Sequence, residues 1–387
     1  MPALPLALLA HAVAAAIGLA SDWAAQLPGW VAWASSAYIT GIASAVARLP
    51  GAAIETGRLA PALVWVYYIA LTAALFVRPA VKAASRQGPP SRLLRPMRSL
   101  PSAPWLVVAL VITLASLTWT AVLTDQPGML RVVFADIGQG DMALITTPGG
   151  HRIVVDGGPN GATAAGALGS ELTFWERSID LVVLTHPHSD HVAGLTELLN
   201  RYNVRRVLQR EISLDTAQHV EWTRSVASEG ALVLNARPGQ VLSFDDGVIV
   251  EVIAPPEPLL NGTESDTDNA SVVLRVSLGE VSFLLAADIF SEGEASIIRG
   301  GLNVDADVLK VPHHGSRNAS TAAFLAAVSP AAAVISAGTE NRFGHPHQEL
   351  LDRLARHLPP DRVYVTSERG TVTFVTDGKT LSVTTER

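Results

Sequence analysis

LVVLTHPHSDHVAGL, residues 181–195, reads as a buried apolar strand followed at once by His186, His188, Asp190 and His191. Four metal-type donors within six positions of a strand end suit a two-metal centre. Two imidazoles at alternate positions meet one ion, while Asp190 and His191, beyond the turn, point to a second site beside it. Gly194 is read as the residue that lets a helix start behind them. A histidine-rich surface turn would carry the same residues, but not directly after a buried strand.

From Met129 onward the chain alternates short β-branched runs with Gly, Pro and Asp. LRVVFADIGQGDMALITTP, HRIVVDGG, RRVLQ, GVIVEVIAP, ASVVLRVSLGEVSFLLAAD, ADVLKVPH, AAAVIS and RVYVTS all read as strands. Helical spacing marks residues 193–200, 222–228, 321–328 and 347–357. Strand pairs interleaved with helices predict a layered α/β or α+β domain. The chain has no cysteine, which excludes disulfides and thiolate sites and leaves His, Asp and Glu as ligands. A net charge of −7 argues against a chain-wide basic surface for nucleic acid, though not against a local one.

The first 124 residues have a different character. LAPALVWVYYIALTAALFV (59–77) and PWLVVALVITLASLTWTAVL (104–123) are uncharged runs long enough to cross a bilayer. Residues 3–20 are a third apolar run, read as a membrane helix because they lack a basic leader, and 29–47 suit an interfacial or re-entrant helix. Between the two clear spans, residues 78–98 carry six basic residues and no acid, which predicts a cytoplasmic loop and an extracytoplasmic C-terminal part. The expected organisation is a transmembrane region over 1–124 and a hydrolase domain over 125–387.

THPHSDH resembles the HxHxDH signature of the metallo-β-lactamase superfamily, which implies an αββα sandwich with a binuclear metal site. FADIGQGDMALITTPGG, IVVDGG, DNASVVLRV with FLLAAD, ADVLKVPHHGSRNAS and VISAGTENRFGHPHQELLDRL follow in the order seen in the hydrolase domain of ComEC-type competence proteins. IASAVARLPGAAIETG is similar to the end of their transmembrane region. Full-length members carry a larger membrane region and a leading extracellular domain, so the chain is expected to be a fragment or a shortened relative. The resemblance implies two divalent metal ions (Zn²⁺ or Mn²⁺, with Mg²⁺ compatible), DNA as substrate, contact with membrane lipid, and other competence proteins as partners.

Carried over residue by residue, the resemblance makes Asp288 the carboxylate shared by both ions, preceded by Ala287 where the family usually has Gly. His314 becomes a metal ligand and His313 a contact to the substrate's phosphoryl oxygens. His345 completes the second ion's shell or orients the leaving group. The family's third histidine for the first ion is missing, because His219 lies in a polar helical segment, and Asp268 or Asn269 is expected to replace it. Ser316, Arg317, Asn318, Asn341 and Arg342 offer donors for phosphate, and Asp190 would orient the attacking hydroxide besides binding metal. Asp141 and Asp156 are expected to stand behind the imidazoles and fix their tautomers. His347 and His357 read as ordinary surface histidines. Three functions fit: a DNA-processing nuclease, an extracytoplasmic hydrolase of another phosphodiester or ester, and a catalytically silent DNA-binding module. The intact signature speaks against the last.

Overall fold

The computed structural model describes residues 128–172, 176–211 and 216–387, with a few positions between 14 and 36. The apolar spans at 59–77 and 104–123 and the basic loop at 78–98 lie outside the described residues. Among those described, no helix is long and apolar enough to cross a membrane. The chain divides into two compact units, Met1–Thr56 and Gly57–Arg387, and the second holds everything that follows.

Its strands run in chain order as β1 (Leu130–Phe134), β2 (Ala143–Thr146), β3 (Arg152–Val155), β4 (Ser178–Ile179), β5 (Leu181–Leu184) and β6 (Asn203–Val204). β7 (Arg206–Gln209), β8 (Leu232–Asn235), β9 (Val241–Ser243), β10 (Ile249–Ala254), β11 (Val273–Leu278) and β12 (Val281–Leu285) follow. The last are β13 (Val308–Lys310), β14 (Ala332–Ile335), β15 (Val363–Val365), β16 (Val372–Thr376) and β17 (Leu381–Thr385). One sheet has the order β17-β16-β1-β2-β3-β5-β7-β8 and the other β15-β14-β13-β12-β11-β10-β9, while β4 and β6 pair separately. Each large sheet is antiparallel on one side and parallel on the other, through β3-β5-β7-β8 and through β12-β13-β14-β15.

β5 shows why its sequence is apolar throughout. Leu181 and Val183 face the layer between the sheets, whereas Val182 and Leu184 face the outer helices, so no side is left for a polar residue. Phe374 on β16 joins the sheets, with Phe134 at 6.1 Å in its own sheet and Phe283 and Tyr364 at 6.0 and 5.9 Å in the other. Helices Gly161–Glu171, Ser189–Arg201 and Ala217–Glu229 cover the first sheet through Leu168, Leu195, Leu198 and Trp222. Helices Ser291–Gly300, Ala322–Val328 and Gln348–Leu354 cover the second through Ile297, Phe324 and Leu350. The result is the αββα sandwich. Because parallel strands present their carboxyl ends on a common edge, β5, β12, β13 and β14 deliver their following loops to one place.

Candidate metal centre

The helix behind the histidine turn starts at Ser189, so Gly194 lies inside it and serves a different purpose from the start signal expected. A Cβ there would meet the Gly157 carbonyl oxygen at 1.8 Å, and the two glycines let the helix press against the turn after β3. In that contact Gly157 N–H donates to the His191 carbonyl and Gly194 N–H to that of Gly158. Gly140 plays the same part on the other side. Its φ is 137°, a Cβ would meet the Asp190 carbonyl oxygen at 2.3 Å, and Asp141 N–H donates to that oxygen. The donor turn is thereby clamped from two directions.

Two clusters of donor atoms result. In the first, His186 Nε2 and His188 Nδ1 lie 3.3 and 3.0 Å from Asp268 Oδ1 and 3.1 Å from each other. In the second, His314 Nε2 lies 3.4 Å from Asp190 Oδ2, and Asp288 Oδ2 lies 3.2 Å from both His191 Nε2 and His314 Nε2. His186 also groups with His191 and Asp288 within metal-ligand spacing, so Asp288 stands between the clusters. Asp268 Oδ1, Asp288 Oδ1 and His314 Nε2 are buried without a well-directed hydrogen bond. Buried polar atoms are normally satisfied, and here three orphaned ones belong to residues of these clusters, as ligands for a pair of cations would. Of the two candidates before β11, Asp268 enters this cluster and Asn269 does not. Asn269 Oδ1 accepts from the N–H groups of Phe290 and Gly293 at the start of the 291–300 helix.

Asp156 receives Thr185 N–H at 2.9 Å, the Thr185 hydroxyl at 2.6 Å and His191 Nδ1 at 2.8 Å, which fixes the ring and turns its Nε2 toward Asp288. His314 Nδ1 donates to the Ser336 carbonyl at 3.1 Å, with Asp141 Oδ1 3.3 Å away. Asp141 in turn pairs with Lys310 Nζ across the two sheets, and both side chains are buried. Lys310 and Thr185 went unmarked in the sequence because each sits in an otherwise apolar strand end. A lysine inside VLKV is the signal that could have revealed the first. Backbone strain gathers at the same edge. Asp156, Ala287, His313 and His314 have φ of 58°, 47°, 50° and 53°, which makes four of the six non-glycine residues in that region among those described.

The electrostatics are those of a cation site held together by protons. Burial pushes His186 down to about 3, so its ring is neutral. For His191 and His314 burial also lowers the pKa, but it is outweighed first by Asp288 and then by Asp156 and Asp141 respectively, which hold both rings well above the usual range. Burial would raise Asp288, yet the His314 and His191 charges keep it well below the ordinary carboxylate range. Cations entering here would displace those imidazole protons.

At the rim, His313 packs on Phe290 at 4.5 Å, and His345 lies 5.7 Å from His313 and 6.2 Å from His314 between ring centroids. The phosphate donors fare less well. Asn341 spends its amide on its own loop, donating to the carbonyls of Gly338 and His345 and accepting from His345 N–H. The Asn318 amide is bound to the Glu264 carboxylate, Ser316 is buried and accepts from Asn318 N–H, and Arg342 lies over the ring of Phe343. The Asn341 and Asn318 amides thus already have partners at the rim, while the Arg342 guanidinium rests on Phe343. His347 is no ordinary surface histidine, because it is half-buried and its Nδ1 accepts from Arg317 N–H.

Residues 135–339 match the family described as the metallo-beta-lactamase superfamily. Among curated proteins the chain is 29% identical to ComE operon protein 3 of Bacillus subtilis over 63% of its own length and 33% of that protein. It is 30% identical to Competence protein ComA of Neisseria gonorrhoeae over 57% of its length and 29% of that protein. The chain thus spans about a third of these relatives. One similar solved structure is CmlA, a diiron beta-hydroxylase from Streptomyces venezuelae, at 16% identity and a TM-score of 0.37 over 63% of this chain and 51% of that one.

Proposed function

Since the chain belongs to the metallo-β-lactamase superfamily, we propose that it is a metal-dependent phosphodiesterase that cuts DNA. The observation that carries this is the gathering of four imidazoles and two further carboxylates around Asp288, with ligand-type atoms left unpaired. His186, His188 and Asp268 would hold one ion, Asp190, His191 and His314 the other, and Asp288 both. Three carboxylates among seven donors suit Mn²⁺ beside Zn²⁺ better than an all-imidazole set would. When bound, such a pair supplies a water acidified to near neutrality and positive charge against the phosphoryl oxygens.

The chain's own residues do the rest. Asp190, partly exposed, can accept a hydrogen bond from the attacking water and so orient it. His313, held at the opening by Phe290 and a strained turn, donates to a phosphoryl oxygen as charge builds there. Asp156 and the Ser336 carbonyl keep the Nδ1 protons of His191 and His314 in place, so Nε2 always faces the centre. DNA as the substrate rests on the resemblance to ComEC-type competence proteins, in keeping with the match to a relative named Competence protein ComA. The uncharged runs at 59–77 and 104–123 and the basic stretch between them support a membrane anchor with this domain on the extracytoplasmic side.

The test is metal analysis and DNA cleavage by the full chain. About two divalent ions should bind per chain, and His191→Ala and His314→Ala should each abolish cleavage, while His357→Ala should leave it near the wild-type rate. If the metal-loaded chain cleaves a simple phosphodiester but no DNA, the substrate assignment is wrong. If it takes up no metal after reconstitution with Mn²⁺ or Zn²⁺, the centre itself is wrong.

A further inference from the structure

We propose that Phe343, Arg342 and His345 form a stacking platform for a nucleobase at the mouth of the centre, so that the domain selects base-bearing, unpaired strands over bare phosphodiesters. The proposal rests on the nuclease reading and deepens it. Among the described residues from 128 onward, Phe343 is the one Phe, Tyr or Trp that stands exposed, at 49%. Leaving such a ring in water is unfavourable, and a ring kept in water beside a charged cleft suits a planar partner.

Its surroundings extend the same surface. His345 stacks on Phe343 at 5.6 Å and 23°, and the Arg342 guanidinium carbon lies 4.9 Å from the ring centroid. Aromatic rings and guanidinium planes are the groups on which unpaired bases stack. The loop is held in place: Asn341 makes three hydrogen bonds within it, and Gly338 N–H donates to Gln139 Oε1. From His345 the contact continues to His313 at 5.7 Å and His314 at 6.2 Å, so a nucleotide stacked here has its phosphate within reach of the centre. When a base takes the ring face that Arg342 covers, the guanidinium is released toward the neighbouring phosphate, which makes the side chain a clamp only once substrate arrives.

The experiment compares a single-stranded oligothymidylate with a tetrahydrofuran abasic oligomer of equal length, using the full chain loaded with Mn²⁺. Wild type should show a KM about five- to hundredfold lower for the base-bearing strand, the range expected for one stacked base. In Phe343→Ala the thymidylate KM should rise toward the abasic value, and Phe343→Trp should restore the preference. Equal KM values in wild type, or a preference that survives in Phe343→Ala, would overturn the platform while leaving the nuclease reading intact. Failure of wild type to cut either oligomer would overturn both.

Discussion

Lys310→Met is the perturbation that tests most directly how this centre is held. The ammonium is buried, pairs with Asp141 and donates to the Val311 carbonyl at 3.1 Å. Methionine fills nearly the same space but takes from the buried Asp141 carboxylate its strongest cationic neighbour, leaving the His314 and His191 imidazoles. Removing one partner of a buried pair typically costs about 3–5 kcal/mol, a large part of the roughly 5–15 kcal/mol that holds a domain together. Asp141 reports the same coupling. Burial would raise its pKa, but the charges of Lys310 and His314 outweigh burial and bring it from 3.8 to about 2. That displacement is worth roughly 2 kcal/mol. The folded value lies below the unfolded one, so this stability is present above pH 3.8 and is lost as the pH falls through about 2. Urea unfolding of the metal-free chain at pH 7 should therefore show Lys310→Met destabilised by about 3–5 kcal/mol. The double variant Lys310→Met with Asp141→Leu should be less affected than the sum of the two single variants, because no unpaired charge remains. A loss below about 1 kcal/mol in the single variant, or strict additivity in the double, would refute the coupling.

Two other outcomes follow from the site and the sequence. Asp156→Asn should weaken metal binding by about 10- to 100-fold, because the amide keeps one acceptor oxygen and no charge where both carboxylate oxygens serve Thr185 and His191, and an unchanged affinity in calorimetric titration of the variant with Zn²⁺ would refute this. A reporter fused after Arg387 should behave as exported, as the basic stretch at 78–98 requires, and cytoplasmic reporter activity would reverse the topology.

The histidine turn was legible because its chemistry is local: strand, donors and helix lie within fifteen consecutive residues. Asp288, His314 and Asp268 were reached through resemblance, since nothing in their own neighbourhoods distinguishes a ligand from a helix cap or a structural pair. The strands β16 and β17, which extend the first sheet beside β1, went unmarked because TVTFVTDGKTLSVTT mixes exposed and buried positions at a sheet edge. The hydrogen bonds of the two asparagines were hidden for a related reason. Asn341 and Asn318 are polar residues beside a cleft, and only their partners, the loop carbonyls and Glu264, show that their hydrogen bonds are already spent.

By itself the sequence determined a layered α/β or α+β domain and the donors of the histidine turn, because apolar periodicity and ligand spacing are properties of neighbours along the chain, while the αββα order and the remaining donors were expected from resemblance. Which of Asp268 and Asn269 meets His186 and His188, which carboxylate lies behind which ring, and where Lys310 sends its charge were decided only when two sheets packed face to face. Those relations join residues up to 169 positions apart, such as Lys310 and Asp141. Their energies depend on burial that no local stretch carries. Asn269 and Asp268 make the point at the smallest scale: adjacent in sequence and similar in chemistry, they turn to opposite tasks because one faces a helix start and the other faces two imidazoles.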